Sequence, residues 1–202
     1  FVFSAVEDAD ADGITRAIAG SVDFAAPSQS VALTQRIDTT DGNFSVRYPT
    51  DWAAYENAGA LYIASTEALL NSDTGTPESG EFTGSFQFFG RDLAAALTDD
   101  VTTGGLLSAF AGEIERIDSA IRLEIDSVFL FERDTVAVIF GNVSDDETTL
   151  DIALSATQIE SSGDYVIGVF ATALDEIGSF ESLLVAIMAS IEQGTATPSG
   201  TI

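Results

Sequence analysis

The chain has no cysteine, no histidine and no lysine among its 202 residues. Each absence closes off some chemistry. Without cysteine there are no disulfides, no zinc–thiolate sites and no lipid-bearing thiol, and the redox compartment is left open. Without histidine and cysteine the commonest general base and the best nucleophile are missing. Without lysine a Ser–Lys pair cannot be built, and no Gly-x-Ser-x-Gly elbow or phosphate-cradling glycine loop occurs. No run reaches the roughly 18 consecutive apolar residues that a membrane-spanning helix needs; the longest, Leu183 to Ala189, reads as part of an amphipathic helix. These absences argue against an enzyme and against membrane insertion.

Positive charge is also scarce. Seven arginines face 33 acidic residues, a formal net charge of -26. Nucleic acid is a poor partner for such a chain, because too little is available to neutralise phosphates and release their counterions. An anionic membrane surface is disfavoured for the same reason. Carboxylates in this excess repel one another unless salt or divalent cations screen them, which suits an extracellular or cell-surface setting. The first residue is Phe1 and not methionine, consistent with a removed signal peptide or with a trimmed sequence.

What is present argues for a packed globule. The hydrophobic share is 46%, with 14 phenylalanines, too high for a disordered chain. In order, Phe1 to Val6 is a short apolar tip, Glu7 to Gly13 an acidic run, and Ser21 to Ser30 a linker holding Pro27. Val31 to Ile37 reads as a strand, and Asp41-Gly42 as a hairpin turn. Phe44, Val46 and Tyr48 then alternate with Ser45 and Arg47 in the period-two pattern of a half-buried strand. Pro49 ends that strand, and Trp52, the only tryptophan, is expected to fold back as a plug over the sheet the chain has just left. Ala60 to Ser65 and Phe82 to Phe89 are further strands, with Phe82, Phe86 and Phe88 inward, separated by an exposed loop over Asn71 to Gly80.

A helix is expected from Thr103, with Leu106, Leu107, Phe110, Ile114 and Ile117 on one stripe. Four strands follow, with short polar connections that suit antiparallel neighbours. In the first of them Ile121, Leu123, Ile125, Phe129 and Phe131 share one phase. A closing helix begins at Ser179, with Phe180, Leu183, Leu184, Ile187 and Ile191 on one side and Gly194 as its stop. The domain layout is therefore an arm and acidic linker over 1–30, a globular domain over 31–193 and a tail over 194–202. The fold class is α+β, an antiparallel sheet with helices packed on it.

The pattern Phe44-x-Val46-x-Tyr48-Pro49-x-x-Trp52, preceded by a strand and an Asp-Gly turn, resembles the opening of PsbP-like domains, the photosystem II extrinsic proteins and their secreted bacterial relatives. The later meander and closing helix are similar as well, so the resemblance runs from about Val31 to Gln193. It implies an α/β/α sandwich around an antiparallel sheet, without enzymatic activity. The photosystem proteins dock through basic surfaces, and this chain has no lysine for that, so photosystem binding is not carried over.

Asp8, Asp10 and Asp12, ending in Gly13, match the first half of a calcium loop, in which alternate carboxylates and a glycine turn wrap a hard cation. Glu7 could add an oxygen, but the twelfth position is Ala19, so the loop is not an EF-hand. The competing reading is a solvated acidic linker, and calcium is the one cofactor these residues would take. Asp73-Thr74-Gly75 matches the aspartic-protease triplet, yet that chemistry needs two such carboxylates, and a turn explains a single copy better. Glu113, Glu115, Asp145, Asp146 and Glu147 could be paired at will as glycosidase acids, so no pairing among them is informative. Asn43 and Asn142 open glycosylation sequons, which permit a secreted setting.

The apolar tip, Phe1, Val2, Phe3 and Val6, is the more telling feature. It either packs on its own domain or adds as a strand to an open sheet edge on a neighbour, giving a homo-oligomer or, repeated head to tail, a filament. The sequence thus favours a non-enzymatic, self-assembling structural subunit over a PsbP-like accessory domain docked on a membrane complex, or a calcium-dependent module. Calcium binding at Asp8, Asp10 and Asp12 predicts a melting temperature that rises with calcium and falls back with a chelator. Asp10→Asn is expected to abolish that response, measured by thermal denaturation of the full chain.

Overall fold

Period-two alternation and short polar turns build the antiparallel strands that organise the fold. The computed structural model describes residues 32–72, 75–117, 122–129, 136–144 and 148–196, with 115, 117 and 122–129 described by backbone alone. In order these form β1 (Leu33–Asp38), β2 (Ser45–Pro49), β3 (Ala53–Asn57), β4 (Ala60–Ala64), α1 (Glu67–Leu70) and β5 (Phe82–Phe89). Next come α2 (Arg91–Leu97), α3 (Thr103–Ile117), β6 (Arg122–Phe129), β7 (Val136–Ser144), β8 (Thr149–Gln158) and β9 (Tyr165–Ala173). A single 3-10 turn (Ile177–Phe180) leads into α4 (Glu181–Ala189).

Seven strands form one antiparallel sheet in the order β3-β4-β5-β9-β8-β7-β6. It is two meanders joined where β5 meets β9, with the α2–α3 segment carrying the chain from the middle of the sheet to its far edge. One face is covered by α3, whose buried Leu106, Leu107 and Ala111 pack against Ile139, Ile152, Leu154 and Ala156. The other is covered jointly by the β1–β2 hairpin, through Phe44 and Val46, and by α4, through Leu184, Ile187 and Met188. The expected α+β sandwich of a sheet between helices is therefore the observed one. The helical stripes on Leu106, Leu107 and Phe110, and on Leu183, Leu184 and Ile187, hold as read.

Several expectations need correction. The Asn43 strand does not begin the main sheet: β1 and β2 form a separate two-stranded ribbon. Pro49 ends β2, the chain turns with Trp52 N–H donating to Pro49 C=O at 3.2 Å, and β3 pairs with β4 instead. Trp52 consequently packs on the other sheet, its ring 5.2 Å from that of Phe82. β3 was not foreseen; its alanines and Glu56 are weak strand formers, and it exists because Ala58 and Gly59, both at positive φ, turn it tightly onto β4. The short helices α1 and α2 were unforeseen as well. A register shift between Ile125 and Ser127 breaks the single phase expected along β6.

The closing helix stops at Ala189, earlier than Gly194. Glu192 then bridges β2, with Ser45 N–H donating to Glu192 C=O at 2.9 Å and Glu192 N–H returning to Ser45 C=O at 3.3 Å. That contact buries Ser45, which the alternation had placed outside. Beyond it, Gln193 donates to the carbonyls of Gly42 and Asn43, and Thr195 N–H donates to Asp38 at 2.8 Å. The Asp41-Gly42 turn forms as expected, with Gly42 at φ 73°.

The core depends on close approach at one glycine. Phe170 lies fully buried across β5, within reach of Phe82 and Phe86 at ring separations of 5.6 and 5.3 Å. A Cβ on Gly84 would come within 2.9 Å of the Phe170 ring and 3.3 Å of Ile63. Neither neighbour can retreat from a close-packed interior. Gly84→Ala is expected to cost about 1–3 kcal/mol, read as a lower urea midpoint with an unchanged slope. A second expectation concerns Asp38, whose carboxyl is held below its ordinary value first by the hydrogen bond from Arg36 and then by that from Thr195 N–H. A depressed carboxyl stabilises the fold above the ordinary carboxylate pKa of about 4, and that contribution is lost as pH falls through the folded value. Asp38→Asn should therefore cost about 1 kcal/mol or less at neutral pH, with the gap to wild type closing in acid, measured by denaturation at several pH values.

Candidate functional site

On the α3 side of the sheet the cover is incomplete. The helix lies on β7 and β8, with β6 beside it, and reaches β5 where Phe110 meets Phe89 at a ring separation of 6.3 Å; α1 packs on β3 and β4, and the part of the face around Tyr55, Tyr62 and Gln87 is left open. Cross-strand pairing fixes what shows there. One row runs Tyr55, Tyr62, Ser85, Val169, and is continued under the helix by Leu154 and Ile139. The rows on either side place Asn57, Ala60 and Gln87, and Ala53, Ala64 and Thr83, on the same face.

Two properties distinguish this face. Tyr55 is 40% exposed and stacks on the half-buried Tyr62, ring centroids 4.8 Å apart and planes 10° from parallel, a preorganised aromatic surface. No Asp, Glu or Arg occurs at any position of β3, β4 or β5 on this face, although the chain carries 33 acidic residues. Glu56, the one acidic residue of β3, points to the opposite side, where it accepts from Thr40 and from Gly59 N–H. Between the tyrosine shelf and Phe110 of α3 lies a dent of about 70 Å³, floored by Ser85, Ile167 and Val169. The arrangement offers apolar and hydroxyl-bearing contacts and no acid–base pair.

The carboxylates with shifted pKa values are engaged locally. Glu113 is lowered by the Arg116 guanidinium, Asp100 by the Thr102 hydroxyl and backbone N–H, and Glu176 by Ser79 and by Gly80 N–H. Asp151 is buried on β8, where its Oδ2 accepts from the backbone N–H groups of Glu176 and Ile177 and so anchors the 3-10 turn. Among the described residues, no three His, Cys, Asp or Glu side chains gather where they could hold a metal, and no helix is long and apolar enough to cross a membrane.

Most residues singled out from the sequence are not on this face. Asp8, Asp10, Asp12, Phe1, Val2, Phe3 and Val6 lie outside the described residues, as do Asp73, Thr74, Asp145, Asp146 and Glu147. Asn43 sits in the β1–β2 turn, its Nδ2 donating to Asp41 at 2.7 Å. Asn142 lies within β7, paired with Glu124 on one side and Asp151 on the other. The tyrosine shelf was missed because β3 was missed, and Tyr55 pairs with Tyr62 only through that hairpin.

No protein family's profile matches the chain, and no curated protein matches it by sequence. Its backbone does match solved structures. Cyanobacterial PsbP (CyanoP) of Synechocystis aligns with TM-score 0.53 and 15% identity, covering 85% of this chain and 98% of that one. The Ran-binding protein Mog1p of Saccharomyces cerevisiae aligns with TM-score 0.53 and 8% identity, covering 78% of this chain and 93% of that one. The fold is PsbP-like. At such identities the likeness concerns the PsbP-like fold alone, and the uncharged shelf is described for this chain's own residues.

Proposed function

We propose that this chain is a non-enzymatic binding domain that works at the cell surface or outside the cell by associating with copies of itself. The observation that carries the reading is the uncharged, half-open sheet face with its stacked tyrosines. A chain of net charge -26 meets strong repulsion from a second copy wherever acidic surfaces face each other. It can approach itself only where charge is missing, and β3, β4 and β5 supply such a place. A cationic partner would be drawn to the acidic surfaces instead, so the shelf fits a second copy better. The PsbP-like fold, shared with a protein named for binding Ran, supports a binding role over a catalytic one.

Area sets how far this face can act alone. Three strands about 4.8 Å apart, each about five residues of 3.4 Å, span about 250 Å², an upper bound because Ala64 is buried, against the roughly 800 Å² per partner of a stable interface. The shelf supplies at most about a third. The apolar tip Phe1, Val2, Phe3 and Val6 is proposed to supply a second contact on a neighbour, and the two together give an extended assembly.

Light scattering of the full chain should show association that strengthens from about 0.1 M to about 1 M salt, as the screening length shortens from about 10 to about 3 Å. Tyr55→Glu, which puts charge on the shelf at an exposed position, is expected to weaken association at least about tenfold with little change in melting temperature. Deleting residues 1–6 should leave no species larger than a dimer. A monomer at every salt and protein concentration overturns the reading.

A further inference from the structure

The large sheet ends on β3 and β6, and only β6 is guarded against addition. Natural sheets blunt their edges with charge, proline or bulges, because a row of unpaired N–H and C=O groups accepts another strand. β6 carries Arg122, Glu124 and Asp126 and a register shift between Ile125 and Ser127. β3 reads Ala-Ala-Tyr-Glu-Asn, without proline, and its register against β4 is unbroken. Its one charge, on Glu56, is held on the ribbon side by Thr40 and Gly59 N–H. The two-residue turn at Ala58 and Gly59 makes Asn57 and Ala60 a hydrogen-bonded pair. Antiparallel alternation then turns the N–H and C=O of Ala54 and Glu56 away from β4. Among the described residues no backbone group bonds to either from the open side.

The Tyr55 ring faces the same gap. Its centroid lies 4.8 Å from that of Tyr62 with the planes nearly parallel, which matches the spacing of neighbouring strands. The stack therefore runs across the strands: Tyr62 covers one face of Tyr55, and the other looks past β3 to where an eighth strand would lie. We infer, resting on the self-association proposed above, that this edge takes residues 1–6 of a second copy as an added antiparallel strand, with Phe3 stacked on Tyr55. The chain outside the described residues begins Phe-Val-Phe-Ser-Ala-Val, six residues without charge, proline or glycine, its phenylalanines two apart. With Phe3 opposite Tyr55, Phe1 and Ala5 fall beside it and extend the uncharged shelf. Val2 and Ser4 meet Glu56 and Ala54 and exchange backbone hydrogen bonds with them. The acidic run that follows would bring carboxylates against a chain of net charge -26, so the uncharged tip is the occupant.

The chain has no cysteine, so introduced thiols report contacts without background. Full-length Ser4→Cys and Ala54→Cys chains are mixed and oxidised in about 1 M salt, where repulsion is screened. A hydrogen-bonded cross-strand pair, about 5.5 Å between Cα atoms, suits a disulfide. The mixture should give a linked pair at least about tenfold above either variant alone, and Ser4→Cys with Ser127→Cys on β6 should give no such excess. Ala54→Pro removes an N–H that β4 does not use; it should keep the melting temperature within about 3 °C and leave no species larger than a dimer by light scattering. Three results overturn the edge as acceptor: a mixed link no stronger than the controls, links confined within single chains of the Ser4→Cys, Ala54→Cys double variant, or a folded Ala54→Pro chain that still assembles. Association that strengthens with salt alongside any of these leaves self-association standing and removes the edge alone. No association at all removes both.

Discussion

A sheet of seven strands about 4.8 Å apart is about 30 Å wide, while a packed helix is about 10 Å across. That mismatch governs this molecule. α3 hides β7 and β8 and the adjoining side chains of β9, and touches β5 through Phe89. The opposite face is solved differently: a two-stranded ribbon and α4 lie side by side on it. An aromatic seam fills the space between them, with Trp52, Phe170 and Phe180 each within 5.2 to 5.6 Å of Phe82. One face is thus closed by the ribbon and α4, and the other is covered in part, mainly by α3 with Ala94 and Leu97 of α2 beside it. The part left open faces outward as small, hydroxylated and tyrosine side chains, in keeping with a surface that spends part of its time in water.

Charge acts on the same geometry. Among the described residues, Arg36, Arg91 and Arg116 are committed to local structure. Arg36 holds Asp38 and Glu192 where the chain's end crosses the ribbon, Arg91 donates to Ser162 C=O at 2.7 Å, and Arg116 pairs with Glu113 within α3. Little positive charge remains to balance the other carboxylates, so the compact state carries a standing repulsion that salt relieves. A charge-free sheet face in such a protein marks a place where further apolar contact can form without adding to that repulsion.

Sequence patterns carried the elements whose side chains decide their own fate. The Phe82 to Phe89 alternation and the Leu106 and Leu184 stripes each bury a face by local spacing alone, and these elements form, the closing helix over the shorter span Glu181–Ala189. The misses share a cause. β3 reads as Ala-Ala-Tyr-Glu-Asn, with no alternation to betray it, and is held by its turn and by β4. Ser45 was read as outward because the residue that buries it, Glu192, lies far along the chain. Phe44 and Val46 show in sequence that one face of the ribbon is buried, but not against what, so the alternation alone places it in the main sheet. The open face was illegible for the same reason: which strands α3 covers is a property of the packed molecule, and Tyr55 and Tyr62 become neighbours only in the hairpin.

Among the described residues, three buried hydroxyls without partners, those of Ser45, Ser155 and Thr157, test how far packing accounts for sequence. Ser45 sits where the chain's end is hydrogen-bonded to its backbone, so a small residue is required there. Ser155 lies opposite Gly168, where even an added Cβ would come within 2.5 Å of its Oγ, beside the buried Phe170 ring; the space dictates a small side chain. Thr157 answers to no such limit. Its cross-strand neighbours are Val136 and Val166, a setting in which valine would pack equally well and leave nothing unpaired. Where a chain departs from the choice that stability favours, packing alone does not explain the residue, and of these three hydroxyls that is the case for Thr157.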